Sequence, residues 1–510
     1  MKKMIQMLVV AIVATTSTTY AQYAGDAIRF GNTNYGSSAR FKGMAGAQIG
    51  VGGDMSSLGG NPAGLGLFTR SEFSLTPEFN NATSKADYLD QTTNDSQNKM
   101  NLNHVGVVWY SPSLRAKGEN TQKGLISTVF GIGYNRNNDF TQRYSYGGTN
   151  DATSMRDYFA ELANTYKSPQ GLLEAGTLED MAFNGYLINF GSPGSTNNFT
   201  ADPFTSNNQL KTETTAGSTS ELNFSGAFNI SNQFYIGASV GIVNIRSITD
   251  AVYSETGVIN PYNNDINEGP IGYTGNENYK LAFSQSQETK GSGVNGRLGV
   301  IFRPIPEFRL GATLQTPTWL YIDDSYAEVL NNTLSGKTPF STNNRFNTND
   351  FSYRLKTPMK GSLGASYVFA GTAILSADVD FIDYSSTRFS VQNGGSASVI
   401  RDNNTDIKQL YTSTMNFRVG GEYKIDQLSL RAGYGVNGSP LKNDDDKIYQ
   451  RKYYTGGIGY RINEYFFDLA YQRSESENRM SSYVLANGGE PQAIVKNANN
   501  NVFLTFGLRF

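Results

Sequence analysis

The chain closes on Val502-Phe503-Leu504-Thr505-Phe506-Gly507-Leu508-Arg509-Phe510. In an extended strand successive side chains point to opposite faces. Val502, Leu504, Phe506, Leu508 and Phe510 therefore share one face, and Phe503, Thr505, Gly507 and Arg509 share the other. An apolar outer row backed by an inner row that carries an arginine is the pattern of a membrane-spanning β-barrel strand. The same alternation runs backwards along the chain. Segment 427–437 turns Leu428, Leu430, Ala432 and Tyr434 one way and Ser429, Arg431 and Gly433 the other. Segment 372–389 sets Leu375, Ala377, Val379 and Phe381 against Ser376, Asp378 and Asp380, and segment 411–425 sets Met415, Phe417 and Val419 against Asn416, Arg418 and Glu422. Charges of both signs thus gather on the inner face: Arg297, Arg309, Asp378, Asp380, Arg418, Glu422, Arg431, Asp468 and Arg509. An ion filter needs one sign to dominate. Here neither does, so the charges are expected to pair and hold the lumen together.

Fourteen such segments can be read, at 72–80, 102–111, 124–137, 219–231, 233–249, 279–304, 306–319, 350–369, 372–389, 411–425, 427–437, 451–462, 464–476 and 500–510. The even number suits a single-chain bacterial barrel. Very short turns at Ser231-Asn232-Gln233, Pro304-Ile305-Pro306, Ala370-Gly371-Thr372, Ile425-Asp426-Gln427 and Ile462-Asn463-Glu464 alternate with long polar connections at 138–218, 251–278, 320–349, 390–410 and 477–499. Short periplasmic turns and long outer loops are the asymmetry of outer-membrane barrels. A soluble sandwich would alternate as well. The discriminator is the outward Phe510, which resembles the assembly signal that barrel-assembly machinery reads on the last strand of such proteins.

Composition points the same way. Only 38% of the 510 residues are hydrophobic while aromatics reach 12%, with 31 Tyr, 30 Phe and 54 Gly. A soluble domain carries roughly 45–50% apolar residues, whereas a wet barrel needs only a thin apolar skin. The net charge of −2 lacks the basic field of a nucleic-acid binder. There is no cysteine and one histidine, which removes thiol chemistry and leaves little room for a histidine-based metal site or triad.

The first 21 residues have the form of a signal peptide: Lys2 and Lys3, an apolar run from Met4 to Ala14, then Thr19 and Ala21 before a cut at Gln22. Eleven helical residues span only about 16 Å, short of a bilayer core. A mature chain without a spanning helix can cross a membrane only as a closed barrel. The expected location is the bacterial outer membrane, as a multi-pass barrel surrounded by outer-membrane lipid.

Residues 22–70 do not alternate. Twelve glycines lie between Gly25 and Gly66 among short apolar residues, a composition suited to tight turns and close backbone approach. This segment is expected to sit inside the barrel of residues 71–510 as a plug. Ser38-Ala39-Arg40-Phe41-Lys42-Gly43-Met44-Ala45-Gly46-Ala47, Asp54 and Asn61-Pro62-Ala63-Gly64-Leu65 resemble the N-terminal hatch of the FadL-type outer-membrane transporters of long-chain fatty acids and other hydrophobic compounds. The resemblance extends through Leu314-Gln315-Thr316-Pro317, 356–364, Asp380-Phe381-Ile382-Asp383-Tyr384, Leu430-Arg431-Ala432-Gly433-Tyr434 and the last strand. It implies a fourteen-stranded antiparallel barrel, a hatch in the lumen and lateral escape of ligand at an inward kink in the third strand.

On that resemblance Asn61, Pro62 and Ala63 set the plug, proline fixing the turn and asparagine supplying hydrogen bonds. Phe130, Gly131 and Gly133 border the exit, with Gly131 the candidate kink because glycine permits a bulge. In the loop 138–218, Met155, Phe159, Leu162 and Tyr166 recur at helical spacing behind the capping pattern Ser154-x-x-Asp157. They suit an extracellular capture helix for a lipid-like ligand or, equally, a lid packed on neighbouring loops. The resembled family carries its main helical loop after the fifth strand; loop 251–278 here has no such pattern.

Two other functions fit less well. A plugged barrel can serve as shuttle or anchor of a protein secretion system, binding cargo at its outer loops. An outer-membrane hydrolase would need a base, and the single His104 heads a strand with no carboxylate near it in sequence, which suits an interfacial strand residue. One histidine is no haem ligand set, and Asp444-Asp445-Asp446 reads as a solvated turn rather than a calcium site. The expectation is a monomeric transporter without enzyme activity, cofactor or metal, whose partner is a hydrophobic small molecule.

Overall fold

The structure is a computed structural model; it describes residues 22–32, 37–116, 120, 122–168, 171–191, 198–201, 206–259, 263–265, 269–271, 276–334, 340–341, 347–392 and 397–510. The signal-peptide expectation for residues 1–21, and part of the loop read at 251–278, lie outside the described residues.

Fourteen antiparallel strands form the wall: β1 Glu72–Tyr88, β2 Gln91–Pro112, β3 Leu125–Asp139 continued by Gln142–Asn150, β4 Asn207–Ile230, β5 Phe234–Ile259, β6 Glu277–Ile305, β7 Phe308–Gln315 continued by Trp319–Leu334, β8 Asn347–Lys356 with Lys360–Phe369, β9 Ala373–Asp383 with Arg388–Val391, β10 Ser413–Ile425, β11 Leu428–Asn437, β12 Arg451–Ile462, β13 Tyr465–Met480 and β14 Ala493–Arg509. Each pairs with its neighbour in sequence, and β1 pairs with β14 from Glu72↔Arg509 to Asp87↔Ile494, closing the cylinder. The Arg509–Glu72 ion pair, 2.7 Å, sits at that closure.

The predicted alternation holds. Val502, Leu504 and Phe506 are exposed on the outside while Phe503 and Thr505 are buried. On β5 the outer row Phe234, Ile236, Val240 and Ile242 is apolar and exposed. Nine residues at about 3.3 Å each, tilted as barrel strands are, span a hydrocarbon layer of about 25 Å. The tight turns at this end use left-handed residues, Ser231 and Asn232 (φ 55° each), Ala370 and Gly371 (49° and 71°), Asp426 (51°) and Asn463 (50°), the twist that two-residue hairpins require.

The strands run further outward than the sequence pattern suggests. Much of 138–218, 251–278 and 320–349 continues as strand: β4 begins at Asn207, β5 reaches Ile259 and β7 reaches Leu334. Beyond the apolar belt the outward residues turn largely polar, so the apolar outer row that marks a spanning strand disappears while the ladder persists. The β1–β2 hairpin is the clearest case, turning at Leu89 (φ 45°) and Asp90 (φ 60°), with no glycine or asparagine to announce it.

Residues 37–68 pack within the cylinder as short turns, a helical turn at Ala39–Lys42 and two 3-10 turns at Met55–Leu58 and Pro62–Leu67. The helix α1, Gln22–Gly31, lies further outward, its Ala27 and Phe30 buried against inner side chains of β5, β7 and β8 and against the loop helix Ala397–Leu410.

Candidate functional site

The internal segment is held by polar contacts all round the wall. Arg40 donates to both oxygens of Glu422 on β10 (Nε to Oε2 2.9 Å, Nη2 to Oε1 3.0 Å). Glu422 also accepts from Arg431 on β11 (2.7 Å), which reaches Asp468 on β13 (2.6 Å). Asp378 on β9 accepts the backbone N–H groups of Gln48 (2.7 Å) and Ile49 (2.9 Å), and Arg309 on β7 donates to Val51 O (2.6 Å). Thr505 Oγ1 accepts from Ala39 N (2.8 Å), and Ser225 and Ser239 both donate to Leu58 O (2.9 and 3.1 Å). Several inner charges pair as expected, Arg418 with Asp380 (2.7 Å) and Arg297 with Glu221 (2.6 Å), whereas Arg309 and Asp378 bind the backbone of the internal segment and Glu422 does both.

Asn61, Pro62 and Ala63 lie against β5 and β6. Asn61 Oδ1 accepts from Ala63 N (3.1 Å), and its Nδ2 donates to Ile49 O (2.8 Å) and to Val300 O on β6 (3.3 Å). One amide thus caps a 3-10 turn, ties it to the turn at Ile49 and touches the wall. Gly237 and Gly299 leave the room: a Cβ on either would collide with Pro62 or Asn61.

The third strand needs a correction. Its ladder is unbroken across Gly131 on both sides, from His104↔Asn135 to Pro112↔Ser127 with β2 and from Ser127↔Asn229 to Arg136↔Ser220 with β4. Gly131 and Gly133 face inward, and Leu58 fills the space they leave; Phe130 faces outward and stacks on Trp109. The three exit residues therefore divide between two faces. The departure comes higher up. Register shifts between Arg136 and Asn138, and pairing of β2 with β3 stops at His104↔Asn135. Beyond that point β3 passes inside the β1–β2 hairpin: Ser84 Oγ donates to Arg143 O (2.6 Å), and the inward Tyr88 packs on Tyr146 (ring centroids 4.9 Å). Between β2 and β3 this leaves a seam bridged by side chains, Asn101 Nδ2 donating to Asp139 Oδ2 (2.7 Å). Met100 (77% exposed) and Leu102 flank it on the outside, so the seam begins within the apolar belt.

His104 is the last residue of β2 paired with β3 below the seam. It is buried in the lumen rather than interfacial, with Nδ1 2.8 Å from Asn135 Oδ1 and Nε2 3.2 Å from Ser74 Oγ.

The helix α2, Met155–Tyr166, forms with the predicted capping box, Ser154 and Asp157 satisfying each other's backbone. Its apolar face is turned inward. Met155, Phe159 and Leu162 are buried with the helix Leu178–Asn184 and with Tyr253, Tyr279, Phe283, Leu330 and Tyr483, while Tyr166 is exposed. Those three residues pack as a lid rather than an open landing groove, because the tall outer strands supply apolar inner side chains for them to bury against. Glu255 on β5 fastens the lid. It accepts from Met155 N (3.0 Å), Tyr253 (2.5 Å), Tyr279 (2.6 Å), Gln209 (3.2 Å) and the hydroxyl of Ser154. A carboxylate at a helix N-terminus is stabilised by the helix dipole. Leu58 and Glu255 carried no signal in the sequence; Glu221 was not among the inner charges read from it, although segment 219–231 contains it.

A closed fourteen-stranded barrel with an apolar belt, paired charges inside and a lumen filled by its own N-terminal segment defines a class of outer-membrane transport proteins. The family model "Outer membrane protein transport protein (OMPP1/FadL/TodX)" matches residues 181–489, and the chain belongs to that family. Its members are transport channels rather than enzymes. No curated protein matches the chain. Among solved structures it is similar to a Pseudomonas aeruginosa FadL homologue, at 15% identity over 94% of this chain and 99% of that one with a TM-score of 0.53. It is also similar to the P. putida toluene transporter TodX, at 13% identity, 94% and 99% coverage and a TM-score of 0.50. At these identities the likeness is one of fold.

Proposed function

We propose that this barrel carries a hydrophobic compound, such as a long-chain fatty acid, across the outer membrane and releases it sideways between β2 and β3. The carrying observation is the seam above His104↔Asn135, where pairing of β2 with β3 stops and Asn101 and Asp139 bridge the gap. Each methylene moved out of water gains about 0.8 kcal/mol, so capture at the mouth and escape into lipid are both downhill for an acyl chain, with the polar leaflet surface bypassed. Residues 37–68 act as the plug, Asn61 setting its position, and the lid helix α2 with Met155, Phe159, Leu162 and Tyr166 opens to admit ligand. No bond is made or broken.

The chain has no cysteine, which makes a direct test possible. A disulfide between Asn101→Cys and Asp139→Cys staples the seam. Uptake of a radiolabelled fatty acid by cells carrying the variant is expected to fall at least tenfold when oxidised and return on reduction. Equal uptake in both states, with the disulfide shown by mass spectrometry, would remove lateral release from the mechanism.

A further inference from the structure

On the outside of the wall, at the height of Trp319 and Tyr321, the side chains of β8 and β9 turn basic. Strand register fixes the rows. Trp319 on β7 stands beside Lys356 on β8, which stands beside Arg388 on β9; two residues outward, Tyr321, Arg354 and Ser390 form the next row. All six are exposed. Arg354 lies over the Tyr321 ring (5.0 Å), and among the described residues neither Lys356 nor Arg388 has an ion-pair partner.

The ladder of β9 with β10 ends at Asp383↔Ser413, and the loop helix Ala397–Leu410 packs beside the outer end of β9 instead. Asn404 clamps the two together, its Oδ1 accepting from Phe389 N (2.8 Å) and its Nδ2 donating to Phe389 O (3.0 Å). Between them runs a groove of about 550 Å3 whose described lining carries Arg388, Arg401 and Lys408 and no carboxylate. Asp383 is taken up by Ser385, accepting from its N (3.1 Å) and Oγ (2.6 Å), and Asp402 lies 3.7 Å from Arg401 Nε on the exposed side of the helix. Arg388, Lys356 and Lys408 are left without an anion. The contrast with β12 to β14 is direct: there Lys452 stands opposite Glu475, and Lys496 opposite Glu477.

We propose that this groove, with the row of Lys356 and Arg388 beneath it, holds the phosphorylated head of a lipid of the outer leaflet. Aromatic girdles mark the head-group level of a membrane, so cations in register with Trp319 meet lipid phosphate. Guanidinium groups match phosphate oxygens two at a time, and basic clusters beside a spanning segment recognise anionic head groups. The groove is of a size that takes a whole head group rather than a lone anion. Met359 and Phe381, exposed on the membrane side of the cluster, offer apolar surface to the acyl chains. The inference goes beyond the transport reading and is independent of what the barrel carries.

The test is native mass spectrometry of the purified barrel in phosphatidylcholine nanodiscs, with bisphosphorylated lipid A, lipid A stripped of its phosphates, and inorganic phosphate as probes. The barrel is expected to retain bisphosphorylated lipid A at least about tenfold better than the stripped form. Lys356→Gln with Arg388→Gln on the wall, and separately Arg401→Gln with Lys408→Gln on the helix, should each lower retention at least about tenfold, circular dichroism showing that the strands persist. Lys452→Gln on β12, an exposed cation with a glutamate opposite, should leave it unchanged. Equal retention of the two lipid forms would overturn the proposal, as would unaltered retention in both double variants. An equal loss in Lys452→Gln would reduce the effect to general charge and overturn it too. Displacement of the lipid by millimolar inorganic phosphate would overturn the lipid assignment in favour of a soluble anion.

Discussion

Leu58 occupies the space that a side chain at Gly131 would need: a Cβ there would lie 2.8 Å from Leu58 Cδ2 and 2.7 Å from Val108 Cγ1. Gly133 stands in the same relation, 2.6 Å from Leu58 Cδ1. The glycines of β3 therefore form a notch for the internal segment, and the strand stays regular because the notch, not a bend, is what they supply.

Gly131→Val should leave the barrel folded and expel Leu58 from its notch. Overpacking of this kind costs about 1–3 kcal/mol, and here the cost falls on docking of residues 55–68. Single-channel recordings in planar bilayers should show a raised open probability against the parent protein. An unchanged conductance trace would mean that Leu58 finds another seat.

Arg40→Ala should destabilise far more than the loss of one contact. It leaves Glu422 buried with Arg431 alone, and stranding a member of a buried ion network costs about 3–5 kcal/mol. Protease sensitivity of residues 37–68 in the detergent-solubilised barrel measures it. The double variant Arg40→Met with Glu422→Gln removes both charges and should recover much of the loss.

Asn61→Ala removes a cap and two side-chain ties at once and is expected to cost about 1–2 kcal/mol. Acyl-ligand uptake at equal surface level should change with it. Unaltered uptake would deny Asn61 a role in setting the plug.

Glu255→Ala should free the lid. Tyr253, Tyr279, Gln209, Ser154 and the N-terminus of α2 all lose their shared acceptor. Hydrogen exchange across 153–166 is expected to accelerate at least tenfold while exchange in β10 to β14 stays as it was.

The docking of α1 should weaken as pH rises. Asp324 lies on the outer extension of β7, beyond the Trp319 and Tyr321 girdle; burial, and then the neighbouring Asp26 of α1, push its carboxyl up to about 7. A carboxyl whose folded pKa is raised contributes stability below its unfolded value near 4 that is lost as pH climbs through 7. Arg29 (3.6 Å from Asp26) and Tyr411 also face the pair, with Gln287 and Thr289 donating to Asp324. Between pH 5 and 8 the loss is at most about 1.4 kcal/mol per unit. Proteolysis of residues 22–32 should therefore quicken at pH 8, and Asp324→Asn should flatten the profile.

The chain's own alternation determined the wall. Val502 to Phe510 and segments 372–389, 411–425 and 427–437 could be assigned inner and outer faces because a strand has a period of two and lipid tolerates only apolar side chains. The charges at Arg418, Glu422, Arg431 and Asp468 could be placed inside for the same reason, and the glycine-rich run from Gly25 to Gly66 stood apart by its lack of any period. What only the tertiary structure decided depends on strands and turns far apart in sequence. The seam begins at Asn135 and not at Gly131 because Leu58, some seventy residues earlier, fills the glycine notch, and because the β1–β2 hairpin leaves β3 room to pass behind it. The apolar face of α2 is buried because β5, β6 and β7 rise well past the membrane and turn Tyr253, Tyr279, Phe283 and Leu330 inward to meet it, while their outward residues there lose the apolar row that would have announced them. Local periodicity reports which face a residue takes; closure of the cylinder decides what it meets there.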